Sequence, residues 1–299
     1  MSWLVLSILS AVALGLYDVA KKAALQENAV LPVLFACSAT GAFLVLPWGA
    51  VSLLAPEFAL GLGIVVQALD LRGHLLVLAK AAIVTLSWTL TYFGLKHLPI
   101  SLAAPVRASA PLFVLLGALA LFREAPTAAQ WAGIAVLFAS YWGFSLLGRA
   151  EGIRFERNRW VWLLFAGTLV GAGSGLYDKH LLQSAALPPV TVQFWFTLDS
   201  TLLQGLLVGA FWWPRRSATT PFRWRAAILA VAVLLLLADY AYFRAVAIPG
   251  ALISVVSIAR RANVVISFGV GGLAFRERNR LPKAGALAGV ILGVALLLA

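Results

Sequence analysis

Ionisable residues lie inside the long apolar runs of this 299-residue chain, among them Asp18, Lys21, Lys22, Lys80, Arg107, Asp178, Asp199, Asp239, Arg260 and Arg261. A charge at the centre of a bilayer-spanning helix costs roughly 2.5–3.5 kcal/mol on insertion scales, so each needs a partner or a wet cavity. The chemistry open to them is ion pairing and the binding of a charged solute. Asp18 lies three residues before Lys21 and four before Lys22, the spacing of either a local helix ion pair or a cavity wall. Arginine is always charged, and its planar fork suits carboxylate or phosphate. Arg260 and Arg261 are adjacent, hence about 100° apart on a continuous helix. One is expected to contact solute and the other to pair with Asp199 or Asp239. Lys21, Lys22 and Lys80 lie near enough to the ends of their runs to snorkel. With the tyrosines that precede two of the aspartates, the candidate solute-binding set is Tyr17, Asp18, Lys22, Arg107, Tyr177, Asp178, Asp199, Asp239, Arg260 and Arg261. Tyr92, Tyr240, Tyr242, Trp88, Trp142 and Trp195 are read as packing or interfacial anchors in preference to pocket walls.

No catalytic set accompanies these charges. The sequence has no Ser/His/Asp set, no HExxH motif and no P-loop. His74, His97 and His180 lie far apart, without ligand spacing. Cys37 is the single cysteine, which leaves no intrachain disulfide. The expectation is a protein that is not an enzyme and carries no cofactor and no metal. Gly171-Ala172-Gly173-Ser174-Gly175 follows no strand and reads as a face for close helix packing, not as a phosphate loop.

The elements that must position the charges are membrane spans. The chain is 62% hydrophobic and 11% charged, with mean hydropathy +0.95, too apolar to clothe a soluble domain. Its runs reach the roughly 20 residues needed to cross hydrocarbon. Ten spans are expected, near 3–25, 30–54, 75–97, 99–122, 128–147, 160–183, 188–213, 224–246, 249–275 and 281–299. Residues 55–73 are too broken to span and are expected to form a loop with an interfacial helix. The first run lacks a preceding Lys or Arg and recurs mid-chain, so it reads as a permanent span and not a signal peptide. A net charge of +12 suggests lipid headgroups as partner, with no nucleic acid, because the positive residues cluster in short loops.

The spans repeat. Gly15-Leu16-Tyr17-Asp18 recurs as Gly175-Leu176-Tyr177-Asp178, at an offset of 160. Tyr92-Phe93 recurs as Tyr242-Phe243 and Pro99 as Pro249, at 150, and Phe122-Arg123-Glu124 as Phe275-Arg276-Glu277, at 153. Three colinear matches divide the chain into five-helix halves, 1–150 and 151–299. An odd number of spans per half inverts the second half in the membrane. The fold class expected is therefore all-α integral membrane, ten transmembrane helices as two inverted five-helix repeats, an architecture common among secondary transporters.

On these residues the sequence resembles the drug/metabolite transporter superfamily, and within it the EamA-type ten-helix permeases. The likeness rests on Gly15 to Lys22 and Gly175 to His180, on Tyr92-Phe93-Gly94-Leu95-Lys96-His97-Leu98-Pro99, on Glu124 and Glu277, and on Gln130 and Gly133 matched by Gly285 and Gly289. Two features depart from the family pattern. Leu14-Gly15 stands where Trp-Gly is typical, and no arginine lies near Cys37 or Ser38 in the second span. The resemblance implies a multi-pass protein of the bacterial inner membrane that moves a small metabolite by alternating access. The alternatives are a non-transporting membrane scaffold and an exporter of cationic or hydrophobic drugs. The near balance of buried charge, with arginines nearest the midplane, points to an anionic or zwitterionic solute such as an amino acid or organic acid, with Arg260 or Arg261 as the anion contact.

Two further expectations concern surroundings. The loops after the fifth, seventh and ninth spans each hold four basic residues, which by the positive-inside rule puts both termini outside. The family resemblance implies cytoplasmic termini instead. Gly285, Gly289 and Gly293 form a small-residue face that could pack within the chain or join a homodimer.

Overall fold

The computed structural model describes residues 2–98, 103, 106–107, 109–123, 127–149, 158–274, 285, 288–289, 291–293 and 295–296. Every regular element among them is helical. Helix α1 (Trp3–Leu25) starts where Ser2 accepts the Val5 amide. Helix α2 (Val30–Leu54) leads to α3 (Pro56–Leu62), a two-turn helix with proline at its first position, closed by Gly63 at φ 67°. Only a residue tolerant of the left-handed region ends a helix this way without strain. Exposed Phe58, Leu60 and Leu62 give α3 the apolar surface of an interfacial helix. An extended segment then returns to the bundle, where Gln67 donates to Thr191 Oγ1 at 3.0 Å.

Helix α4 (Leu71–His97) begins four residues before the expected third span, because Asp70 Oδ1 accepts the Gly73 amide at 2.8 Å and caps it there. Next come α5 (Ala110–Phe122), α6 (Ala128–Arg149) and α7 (Arg159–Lys179), the last capped by Asn158. A π-helical turn, His180–Ser184, extends α7, and another, Val208–Trp212, extends α8 (Pro189–Leu207). Helix α9 (Ala226–Ala247) completes six segments long and apolar enough to cross a membrane. The chain is thus an integral, multi-pass, all-α membrane protein.

The ninth expected span is not one helix. It divides into α10 (Ile253–Arg260) and α11 (Asn263–Ala274). At the break the Arg261 and Ala262 amides donate to Ile258 and Ala259, three residues back, at 2.8 and 3.1 Å. Arg261 holds φ −74°, ψ −8°. In the first half Ser109 holds φ −74°, ψ −13° just before α5, and its amide donates to Val106, again three residues back. Pro99, Glu124, Glu277 and most of the tenth span lie outside the described residues.

Packing is reciprocal between the halves. Helix α1 packs on α9 and α7 on α4; α2 packs on α8; α1 meets α10 and α11 as α7 meets α5. That is the pattern a two-fold exchange of halves would give. A matching tie closes each half. Lys22 Nζ donates to the Leu95 and Leu98 carbonyls, both at 2.7 Å, joining the ends of α1 and α4. Gln183 Nε2 donates to the Val246 carbonyl at 2.7 Å, joining the end of α7 to that of α9. Gln183 falls one residue beyond the position that the 160 offset assigns to Lys22. The π turn at His180–Ser184 takes up that residue.

Small residues set the approach of α4 to α7. A Cβ on Gly167 would sit 2.7 Å from Thr91 Oγ1 and 2.9 Å from the Ser87 carbonyl, and one on Gly171 would meet Ser87 Oγ at 2.9 Å. Gly173, in the same run, has nothing within 4 Å. In the last span Gly289 lies against Ser140 of α6 and Gly293 is buried. The glycine face is therefore used inside the chain at two of its three positions, and only Gly285 stands open. Gly167→Val should lower stability by about 1–3 kcal/mol through overpacking, while Gly173→Ala should be neutral. Thermal unfolding of the two variants in detergent checks this; equal midpoints would refute the packing assignment.

Candidate functional site

A cavity of about 170 Å³ lies between the halves, walled by α1, α4, α5, α7, α8, α9 and α10. Two buried apolar clusters flank it. One gathers around Val77, Val114, Phe196 and Phe243, the other around Leu34, Leu95, Leu164 and Val231. The buried charges between them form three groups.

The first centres on Asp18, 3% exposed. Its Oδ1 accepts from Lys21 Nζ at 2.9 Å and Arg107 Nη1 at 2.6 Å. Its Oδ2 accepts from Asn263 Nδ2 at 2.9 Å and Ser267 Oγ at 3.4 Å. Lys21 Nζ also lies 4.4 Å from the Tyr17 ring and 5.2 Å from that of Tyr92, whose hydroxyls are 3.2 Å apart. Two cations on one carboxylate leave this group with net positive charge. The second group is the ion pair of Lys80 with Asp178, 2% and 4% exposed. Phe196 and Phe243 face the Lys80 ammonium at 4.5 and 4.9 Å, and Tyr242 lines the cavity with them.

The third group centres on Arg260. Its Nε donates to Ser10 Oγ at 3.0 Å and its Nη2 to Asp239 Oδ1 at 3.4 Å, and its guanidinium lies 3.9 Å from the Tyr242 ring centroid. The break after α10 makes this geometry. Ending the helix at Arg260 puts cations at its C-terminus, where unpaired carbonyls favour positive charge. It also frees Asn263, at the start of α11, to reach Asp18.

The sequence matches the EamA-like transporter family model over residues 1–146. Residues 1–146 belong to the EamA-like transporter family. That family lies in the drug/metabolite transporter superfamily, and the multi-pass helical fold is consistent with it. No curated protein matches the sequence. The chain is similar to a solved crystal structure at 20% identity, with a TM-score of 0.69 and coverage of 98% of each chain. At that identity the likeness is one of fold alone.

Within this EamA-like architecture the expected site residues divide. Tyr17, Arg107, Asp178, Asp239, Arg260 and Arg261 line the cavity. Asp18 sits behind the wall and acts on it through Lys21 and Arg107. Lys22, Tyr177 and Asp199 are not on the wall. Lys22 points to the end of the bundle, where it makes the tie to α4. Tyr177 turns outward from the Asp178 side of its helix and donates to the Leu76 carbonyl at 3.1 Å. Asp199 is half-buried on α8 within electrostatic reach of His74. Of the two aspartates considered for the arginines, Asp239 is the one that takes Arg260.

Lys80 and Lys21 do not snorkel; both are buried on the cavity wall. Sequence reading missed Lys80 because it began the span at residue 75. The signal was Asp70, a helix-capping residue, which starts α4 at Leu71 and puts Lys80 ten residues in. Trp88 and Tyr242, read as packing residues, also line the cavity, with Ser87 and Thr91 beside them. Removing one partner of a buried ion pair strands the other charge, at about 3–5 kcal/mol, whereas replacing both by apolar residues is often near neutral. Lys80→Met and Asp178→Leu should each destabilise by about that amount, and the double variant should recover most of it. Chemical denaturation of all three in detergent tests this, and a double variant no better than the worse single one would show that the pair is not coupled.

Proposed function

We propose that the chain is a secondary transporter: ten transmembrane helices in two inverted five-helix repeats that move a small anionic or zwitterionic metabolite by alternating access. The observation that carries the reading is the charge balance of the cavity. Lys21, Lys80, Arg107, Arg260 and Arg261 line it, against Asp178 and Asp239 on the wall and Asp18 behind it. Among the described residues the cations exceed the carboxylates by two. A solute carboxylate offsets that surplus; a cationic drug would add to it. Arg260 is the contact that fits best. Its Nε and Nη2 are engaged, its Nη1 has no hydrogen-bond partner among the described residues, and the Tyr242 ring and Ser10 fix its plane.

The pairing also supplies a route for alternating access. Asp18 is held by Arg107 of its own half. By the repeat, Arg260 corresponds to Arg107 and Asp178 to Asp18, yet Arg260 rests on Asp239 while Lys80 of the other half holds Asp178. If the second half takes up the conformation of the first, Arg260 passes from Asp239 to Asp178 and Lys80 is released to the solute. The scaffold alternative offers no use for a cavity of about 170 Å³ lined by so much charge.

Reconstitution into proteoliposomes with a panel of organic acids, amino acids and cationic dyes tests the reading. Uptake or exchange of an anion or zwitterion is expected. A hydrogen bond to a charged group contributes about 1.5–3 kcal/mol, so Arg260→Gln should weaken binding of that solute roughly 10- to 100-fold while the protein still folds. Flux of cations alone, or unchanged anion binding in a folded Arg260→Gln variant, would overturn the assignment.

A further inference from the structure

A second charged pocket lies at the end of the bundle beside the arginine-rich loops. Lys22, Gln26 and Glu27 at the end of α1, Lys96 and His97 at the end of α4, and Arg225 just before α9 line it. Its cations are held in place. Lys96 Nζ donates to Thr220 Oγ1 at 3.1 Å, and Lys22 is fixed by the two carbonyls at the end of α4. The His97 ring stacks on Trp160 at 3.7 Å, and the Arg159 guanidinium lies 4.4 Å from the same indole. Trp224, one residue from Arg225, is 62% exposed. Tryptophans so placed mark the depth of the lipid headgroups.

The other half provides an internal control. The positions that the repeat pairs with Lys96, His97 and Arg225 are Val246, Ala247 and Leu75, and the tie made by Lys22 is made there by Gln183. None of these is charged. Arg244 stands beside that joint, but the tie itself is made there without charge, so three cations at the first joint exceed what closing it requires. Three cations against one carboxylate, Glu27, at headgroup depth match a phosphodiester with net negative charge. We propose that this pocket binds the phosphate headgroup of an anionic phospholipid from the adjoining leaflet. The bound headgroup would touch Lys22, next to Lys21 on the cavity wall, and so connect the lipid to the site.

The test is lipid retention, read independently of flux. Full-length protein in mild detergent is exposed to equimolar phosphatidylglycerol and phosphatidylcholine, and bound lipid is counted by native mass spectrometry. Preferential retention of phosphatidylglycerol is expected. The double variant Lys96→Gln/Arg225→Gln should lose about 30-fold in that preference, at roughly fivefold per basic group. Arg215→Gln/Arg216→Gln, with the same loss of charge outside the pocket, should retain it. If the first double variant does not fold, Lys96→Gln alone should show the fivefold loss. Equal losses in the two double variants would overturn the proposal, as would retention unaffected by Lys96→Gln, or displacement of the lipid by equimolar inorganic phosphate.

Discussion

A carboxylate buried among helices in hydrocarbon must be met from several sides, and in this protein Asp18 is where that requirement is most fully satisfied. Two cations and two neutral donors converge on it, from α1, from Arg107 just before α5, and from α11. The convergence fixes more than one side chain. Asn263 reaches Asp18 because the ninth span breaks before it, and Arg107 does so two residues ahead of a similar turn at Ser109. Unbroken helices would carry these groups past the carboxylate. A span interrupted at a charged site is tolerated where its freed backbone lines a cavity instead of facing lipid. The broken spans and the buried charge are in this sense one feature.

Much of this was legible in the sequence because it rests on long-range regularity. Six of the ten expected spans coincide, within a few residues, with helices long enough to cross a bilayer, and the interfacial segment near residues 56–62 is where it was expected. The Tyr-Asp repeat pointed to Asp178, which lines the cavity, and equally to Asp18, which sits behind its wall. What escaped reading is local. No proline or glycine marks the Arg260–Asn263 break, so hydropathy runs through it and the two arginines look like neighbours on one helix. Asp199 looked equivalent to Asp239 because span depth says nothing of rotation about the helix axis. Lys80 was displaced by a four-residue error at a helix start, where one capping side chain outweighs the hydropathy profile.

The two segments that the sequence repeat relates pair their helices alike but their charges differently. The ties use different residues, Lys22 and Gln183, for carbonyls at the ends of α4 and α9, and a π turn accompanies the second. Among the described residues the main helix pairs are reciprocal. The ion pairs are not. Asp18 takes both of its cations from its own half, while Asp178 takes Lys80 from the other.

That asymmetry bears on the energetics of exchange between halves. If each aspartate were held within its own half, the halves could move past one another without breaking an ion pair. Lys80–Asp178 crosses between them, inside the cavity and out of water, so any rearrangement that parts the halves there must replace both partners or leave charges uncompensated at several kcal/mol. Arg260 is placed to replace one of them. It already lies over the ring of Tyr242, which lines the cavity with Asp178, and its contact with Asp239 is long at 3.4 Å. Asp239, which Arg260 would leave and which lies within electrostatic reach of Lys80, is one replacement for Asp178, and an incoming anion is another that restores the balance. A solute carboxylate entering the cavity would meet that need. The same electrostatics that hold the empty bundle together would then couple its rearrangement to the arrival of a negatively charged ligand.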